Sequence, residues 1–402
     1  MRVLTLTFLA ASTLACGAQG EQWQDEVQAL AAELTPGVEK AVGLNFKYPP
    51  NVAVRTREQV YEYLVHKLET ELPPEELERT SLAYKLFGLI PDTLDLGQLF
   101  LDLYTEQIVG FYDPVTDSLY VVFGAAQLEV RLIVAHELVH ALQAQYVPLD
   151  SILSTRGDND RQVAAQAVME GQGILASLIA MMPGQDFNAM PDFWQQYRQS
   201  VRAQQDIMPI FSSAPLILKE TLIFPYLGGA DFVRWFGQEY PGTMPYGSRL
   251  PQSTEHILNP ERYKSGDAPV SLRFIATEGL VHDDGLGQFE TQVLITELTG
   301  SESTAAAAAR GWGGDRYGIF EAEDDHALVW WSVWDSQQSF RRFTTVIERE
   351  WNSGVRAGRQ RAVRKTEVGG RPAVVVLDAP VGWRRWEEPP EVKEQGAGSR
   401  ER

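Results

Sequence analysis

The stretch Leu132-Ile133-Val134-Ala135-His136-Glu137-Leu138-Val139-His140-Ala141-Leu142-Gln143-Ala144-Gln145-Tyr146 decides how this chain is read. It holds neither Gly nor Pro and is rich in Ala and Leu, so it predicts a helix. Residues four apart on a helix lie one turn apart on the same face. His136 and His140 therefore bring two imidazoles to a common point where a zinc ion can sit. Glu137 projects beside them, placed to take a proton from a zinc-activated water. The chain has six histidines in 402 residues, and composition alone would produce such a pattern in on the order of one per cent of chains.

Upstream, Gly110 to Phe123 places β-branched and aromatic residues on both sides of Asp113-Pro114, which predicts a hairpin leading into the helix. A strand at that place can pair with an extended substrate backbone, and it is equally compatible with packing on the helix alone. Downstream, a loop from Pro148 to Asp158 precedes a helix over Asp160 to Met181. Val163, Ala167, Glu170, Ile174 and Leu178 share one of its faces, so a carboxylate stands in an apolar stripe. Burying it is expensive unless it ligates a metal or meets a cation. Glu170 is the expected third ligand; a salt-bridged core glutamate is the other reading. Asp158 and Asp160 are expected to cap the helix, and their oxygen spacing is incomplete for a calcium loop.

The chain is 44% hydrophobic and long enough for two to three domains. A formal charge of −19 argues against a nucleic-acid partner, which requires a basic face. Met1-Arg2, the apolar run Val3 to Leu14, and Ala15-Cys16-Gly17 have the layout of a secretory signal too short to span a bilayer. Cys16 is the only cysteine, which rules out a disulfide within the chain. Its position resembles a bacterial lipoprotein signal, in which that cysteine is acylated and anchors the protein to a membrane. Thr13 stands where such signals usually carry Leu, and a plain secretory signal is the alternative. The expected location is the cell envelope, periplasm or exterior.

The remaining text predicts further elements. Gln22 to Leu34 is a helix ended by Thr35-Pro36-Gly37, and helices follow over Arg57–Leu72, Glu75–Leu89 and Asp95–Gln107. Leu216 to Phe236 is a helix broken or kinked at Pro225 and Gly228-Gly229. A linker surrounds Asp267. Beyond it, strands over Asp315–Ala322 and Ala327–Trp334, helices over Phe289–Leu298, Glu302–Arg310 and Gln337–Trp351, and a hairpin over Gly369-Gly370 form an α+β region. Gly311-Trp312-Gly313-Gly314 reads as a tight turn. Trp330, Trp331 and Trp334 fall on both faces of their strand, as in a central, doubly covered strand. The tail beyond Pro380 reads as disordered. The expected fold class is α+β: a signal at 1–16, an N-terminal segment at 17–55 and a mostly helical zincin-like domain at 56–266. A smaller α+β domain at 267–380 and the tail at 381–402 complete it.

Over most of residues 56–380 the chain resembles the gluzincin metallopeptidases, in particular a bacterial secreted or lipoprotein branch. The resemblance is carried by the run Glu106 to Pro114, the His136 to Gln143 run, Val168-Met169-Glu170-Gly171, Phe224-Pro225-Tyr226-Leu227, Ser253 to Tyr263, and Gly311 to Tyr317. It implies that His136, His140 and Glu170 bind one zinc ion per chain and that Glu137 is the base. Two positions depart from it: Gln172 stands where relatives commonly carry an acid, and His256 where they carry Gln. The expected activity is zinc-dependent hydrolysis of a peptide bond in a peptide or protein substrate. Tyr226, His256 and Tyr263 are candidate donors to the developing oxyanion, unranked, and each suits a packing role equally. The alternative is a noncatalytic, zinc-stabilised binding or scaffold lipoprotein of the envelope.

Overall fold

A computed structural model describes residues 14–71, 73–148, 157–187, 190 and 192–395. The residues before Leu14, where the signal was expected, most of the loop after Pro148, and 396–402 lie outside the described residues. The fold is α+β. It gathers into two compact units that alternate along the chain: 1–63, 107–146 and 176–185 in one, and 64–106, 147–175 and 186–402 in the other.

In the first unit, helix α1 (Leu14–Val42) packs on a three-stranded sheet of β1 (Asn51–Arg55), β2 (Gly110–Asp113) and β3 (Ser118–Val122) and on helix α5 (Gln127–Ala144). The strand order is β1-β3-β2, with β1 parallel and β2 antiparallel to β3. The hairpin is closed by Asp117 at φ 47° and by the Asp113 carboxylate, which accepts from the Val115 N–H and the Thr116 hydroxyl. Gln24 of α1 serves the exposed edge of β1: its amide donates to Val52 O at 2.6 Å and accepts from Val54 N at 2.8 Å.

The expected stop at Thr35-Pro36-Gly37 is wrong, because α1 runs through Pro36. Val27, Ala31, Leu34, Val38 and Val42 form one buried stripe across it. A mid-helix proline costs roughly 3 kcal/mol, whereas burying Val38 and Val42 returns roughly 1.5–3 kcal/mol each. Gly37 lets α1 approach Ala180, whose Cβ would stand 3.2 Å from an added methyl. Helix α5 is buried nearly all round, from Val130 to Gln143, although Leu128 and Leu132 remain exposed.

The second unit contains α2 (Arg57–Glu71) beyond its first turns, α3 (Pro74–Phe87), α4 (Leu96–Gln107) but for its last residue, and most of α6 (Asn159–Met181). It continues with α7 (Phe193–Asp206), α8 (Pro209–Ser213), α9 (Leu216–Glu239), α10 (Thr254–Leu258) and α11 (Pro260–Ser265). Helix α6 is apolar and long enough to cross a membrane, but 67% of that window is buried inside the fold, as in a core helix. Helix α9 is continuous through Pro225 rather than broken.

A five-stranded antiparallel sheet dominates this unit, in the order β5 (Leu280–Asp284), β6 (Trp312–Ala322), β7 (Asp325–Trp334), β9 (Arg371–Pro380), β8 (Arg359–Val368). Helices α12 (Gly287–Thr299), α13 (Glu302–Ala309) and α14 (Gln337–Trp351) accompany it. Trp330 and Trp334 lie on one face of β7 with Phe343, at ring distances of 5.8 and 4.4 Å. Ala327, Val329, Trp331 and Val333 build the core on the opposite face, so β7 is central and covered on both sides. Gly369 and Gly370, at φ 57° and 80°, make the β8–β9 turn.

Two sequence expectations fail here for one reason, burial against distant chain. Gly311-Trp312-Gly313-Gly314 is no tight turn: Trp312 opens β6, which bulges before Gly314. An added Cβ on Gly314 would fall 2.3 Å from Val270 O. Asp267, where the linker was expected, pairs its carboxylate with Arg262 at 2.5 Å. Residues 381–395 of the tail are ordered against the sheet. β10 (Val392–Glu394) pairs antiparallel with β4 (Leu272–Phe274), Trp383 and Val392 join the core, and Pro390 O accepts from Trp331 Nε1 at 2.9 Å.

Candidate metal centre

Helix α5 places both imidazoles of the opening stretch as its sequence requires. His136 is buried, and its Nε2 stands 3.0 Å from Nε2 of His140. Zn–N bonds of about 2.0–2.1 Å at a tetrahedral angle hold two nitrogens about 3.3 Å apart, so the pair already has nearly the spacing of ligands. Gln143, fully buried one turn on, accepts from His140 Nδ1 at 2.9 Å. That bond puts the proton on Nδ1 and turns the Nε2 lone pair toward His136. Glu170, half-buried on α6, completes the group: one ligand atom each of His136, His140 and Glu170 lies within 4.8 Å of the others. Two neutral imidazoles and a carboxylate form a donor set that suits zinc.

Glu137 is buried, and its Oε2 accepts from the Tyr112 backbone N–H at 2.8 Å. Tyr112 is tied in turn by its hydroxyl to Asp117 Oδ1 at 2.7 Å. The hairpin therefore fixes the carboxylate of Glu137, and the Tyr112 N–H is occupied by it rather than offered to an incoming strand.

The other candidates separate. His256 Nε2–H donates to Asp267 O at 2.6 Å, and its Nδ1 accepts from Gln252 N at 3.2 Å. Burial lowers its pKa, so the ring is neutral and both nitrogens serve the backbone. The Tyr263 hydroxyl donates to Arg249 O at 2.8 Å. These bonds occupy the polar hydrogens of His256 and Tyr263, two of the candidate oxyanion donors. Tyr226 is half-buried on α9. Gln172 accepts from the Tyr246 hydroxyl, so the position of the missing acid is filled by a neutral acceptor. The backbone of Cys16 lies in the first turn of α1.

Sequence reading missed Gln143, although its place three residues after His140 on a helix was the available signal. It also missed a set of buried acids. Asp160 does not cap α6: it accepts from Thr254 N at 2.9 Å and from the Thr254 hydroxyl, while Asp158 accepts from Arg161 N at 3.4 Å. Glu290 accepts from Tyr84 Oη and Asn159 Nδ2, both at 3.0 Å, and Asp315 from Leu286 N, Gly287 N and Trp330 Nε1. Asp284 accepts from Asn159 N at 3.0 Å. Burial raises all four, pushing Glu290 to about 8, Asp160 to about 7 and Asp284 to about 6. Their donors are mostly backbone and hydroxyl groups, which suits a structural role.

A family model described as "Domain of unknown function (DUF8575)" matches residues 273–381, a span that includes the five-stranded sheet. No curated protein and no solved structure matches the chain.

Proposed function

We propose that this chain is a zinc-dependent peptidase of the gluzincin type, acting outside the cytoplasm. The observation that carries the reading is the convergence of His136, His140 and Glu170 on one point, with a buried glutamate next in sequence to the first histidine. His136 and His140 hold the ion through Nε2 and Glu170 through its carboxylate. Zinc, when bound, supplies a Lewis acid that brings the pKa of water towards about 7 and polarises a carbonyl. Glu137 takes the proton of the attacking water and returns it to the leaving amine as the C–N bond breaks. The Tyr112 N–H orients that carboxylate throughout. A purely structural zinc site has no need of such a base, which favours catalysis over a binding or scaffold role.

The test is metal analysis of the purified protein, followed by cleavage of a mixed protein substrate by wild type and Glu137→Gln. About one zinc per chain is expected in both, with cleavage lowered by roughly 10²–10⁴-fold in the variant. Absence of zinc, or undiminished cleavage by the variant, overturns the reading; zinc without cleavage by either protein supports the binding role.

A further inference from the structure

The C-terminal end of α9, the segment 247–252, α10, α11 and residues 266–268 enclose a cavity of about 300 Å³, at the lower end of the range for ligand sites. Phe236, Tyr240, Leu250, His256 and Tyr263 line it. The rings brace one another: Tyr240 lies 4.9 Å from Phe236 and 6.3 Å from Tyr263, and His256 lies 5.7 Å from Tyr263.

Most polar atoms of the wall are already engaged. Both His256 nitrogens and the Tyr263 hydroxyl bond to backbone. The Asp267 carboxylate is paired with Arg262, which also holds Asp335 at 2.5 Å. Two donors remain. Among the described residues, neither the Arg249 guanidinium nor the Tyr240 hydroxyl has a hydrogen-bond or ion-pair partner. Both flank the Tyr263 hydroxyl. Its pKa is raised first by burial and then by Tyr240, and Arg249 draws it down. The wall is thus rigid and aromatic, with one unpaired cation and one free hydroxyl, in a chain whose net charge is −19.

We propose that this cavity binds a monocarboxylate with a single flat apolar body, its carboxylate held by Arg249 and Tyr240 and its body against Phe236, Tyr240 and Tyr263. A guanidinium and a phenol are donors a carboxylate takes up, and the cavity has room for one aromatic ring together with its acid group. Free aryl acids and the C-terminal residue of a peptide share this chemistry. The site stands independently of the zinc reading.

Calorimetric titration of the full chain with phenylacetate, N-acetylphenylalanine and N-acetylphenylalanine amide tests it. Saturable heat is expected with one or both acids and none with the amide. Preference for N-acetylphenylalanine assigns a peptide terminus, and equal or tighter binding of phenylacetate assigns a free acid. Arg249→Gln should weaken binding by about tenfold or more, which is about 1.4 kcal/mol. Arg249 is exposed and makes no side-chain bond, so an unchanged melting temperature confirms an intact fold. Trp235 stacks edge-on with Tyr240 and Tyr263 at 6.1 and 6.0 Å. Its emission should respond to the acid, and the response should vanish in Trp235→Phe. The proposal is overturned if neither acid saturates, if the amide binds as well as the acid, or if Arg249→Gln leaves the affinity unchanged.

Discussion

At the proposed zinc site, one neutral side chain, Gln143, has much to decide. Its oxygen fixes the tautomer of His140, and a ligating imidazole without such a partner loses orientation and basicity. Gln143→Leu should weaken zinc binding by about 10–100-fold, measured by competition with a chromophoric chelator, whereas Gln143→Glu retains the acceptor and should retain the affinity. Equal affinity of all three proteins would deny Gln143 this role. The two histidines and Glu137 were legible in sequence because helical spacing alone sets their geometry. The present partners of His256 and Tyr263 were not legible, because nothing in their local sequence reveals that Asp267 O and Arg249 O take up their polar hydrogens.

At the scale of elements, α6 and α9 meet backbone to backbone. A Cβ on Gly171 would lie 2.1 Å from the carbonyl carbon of Gly229, and one on Gly229 would lie 1.8 Å from Ala167 O. Alanine normally stabilises a helix over glycine by roughly 0.5–1 kcal/mol, but here overpacking costs about 1–3 kcal/mol or more. Gly171→Ala and Gly229→Ala should therefore lower the urea midpoint. Gly237→Ala on the same α9, with nothing within 4 Å of its added methyl, should raise it slightly. Gly171 follows Glu170 directly, so Gly171→Ala should also weaken zinc binding. Midpoints that rise in all three variants would contradict the close crossing. The same principle explains the misread elements. Pro36 and the Gly311–Gly314 run are local punctuation, and punctuation yields when packing partners such as the buried Val38 and Val42 or the half-buried Val270 outweigh it. Trp383 and Val392 looked disordered in a charged tail because the core they join, at β4 and β7, lies far back in the sequence.

For the whole molecule, the buried acids set a pH dependence that composition hides. Glu290 and Glu255 are raised to about 8, Asp160 to about 7 and Asp284 to about 6, in each case chiefly by burial. The folded state therefore holds protons that the unfolded chain releases near pH 4 to 4.5. Their contribution is fully present below those unfolded values and is lost as pH rises through the folded ones. Scanning calorimetry in the presence of chelator should show a melting temperature falling between about pH 5 and pH 9. Glu290→Gln, which keeps an acceptor for Tyr84 and Asn159, should flatten the profile. A melting temperature that climbs toward pH 9 would refute the assignment. No sequence rule finds these groups, because an acid is read as surface until its donors are known, and Tyr84 lies 206 residues from Glu290.

The alternation of the two compact units along the chain has a bearing on synthesis. Each unit draws on three separate stretches, the first extending to residue 185 and the second closing its small sheet only at Val392. An emerging N-terminal piece thus owns no complete core, and pairing β4 with β10 joins residues 120 positions apart. Chains dominated by such distant pairings fold slowly. The second core is therefore complete only when nearly all of the chain has been made.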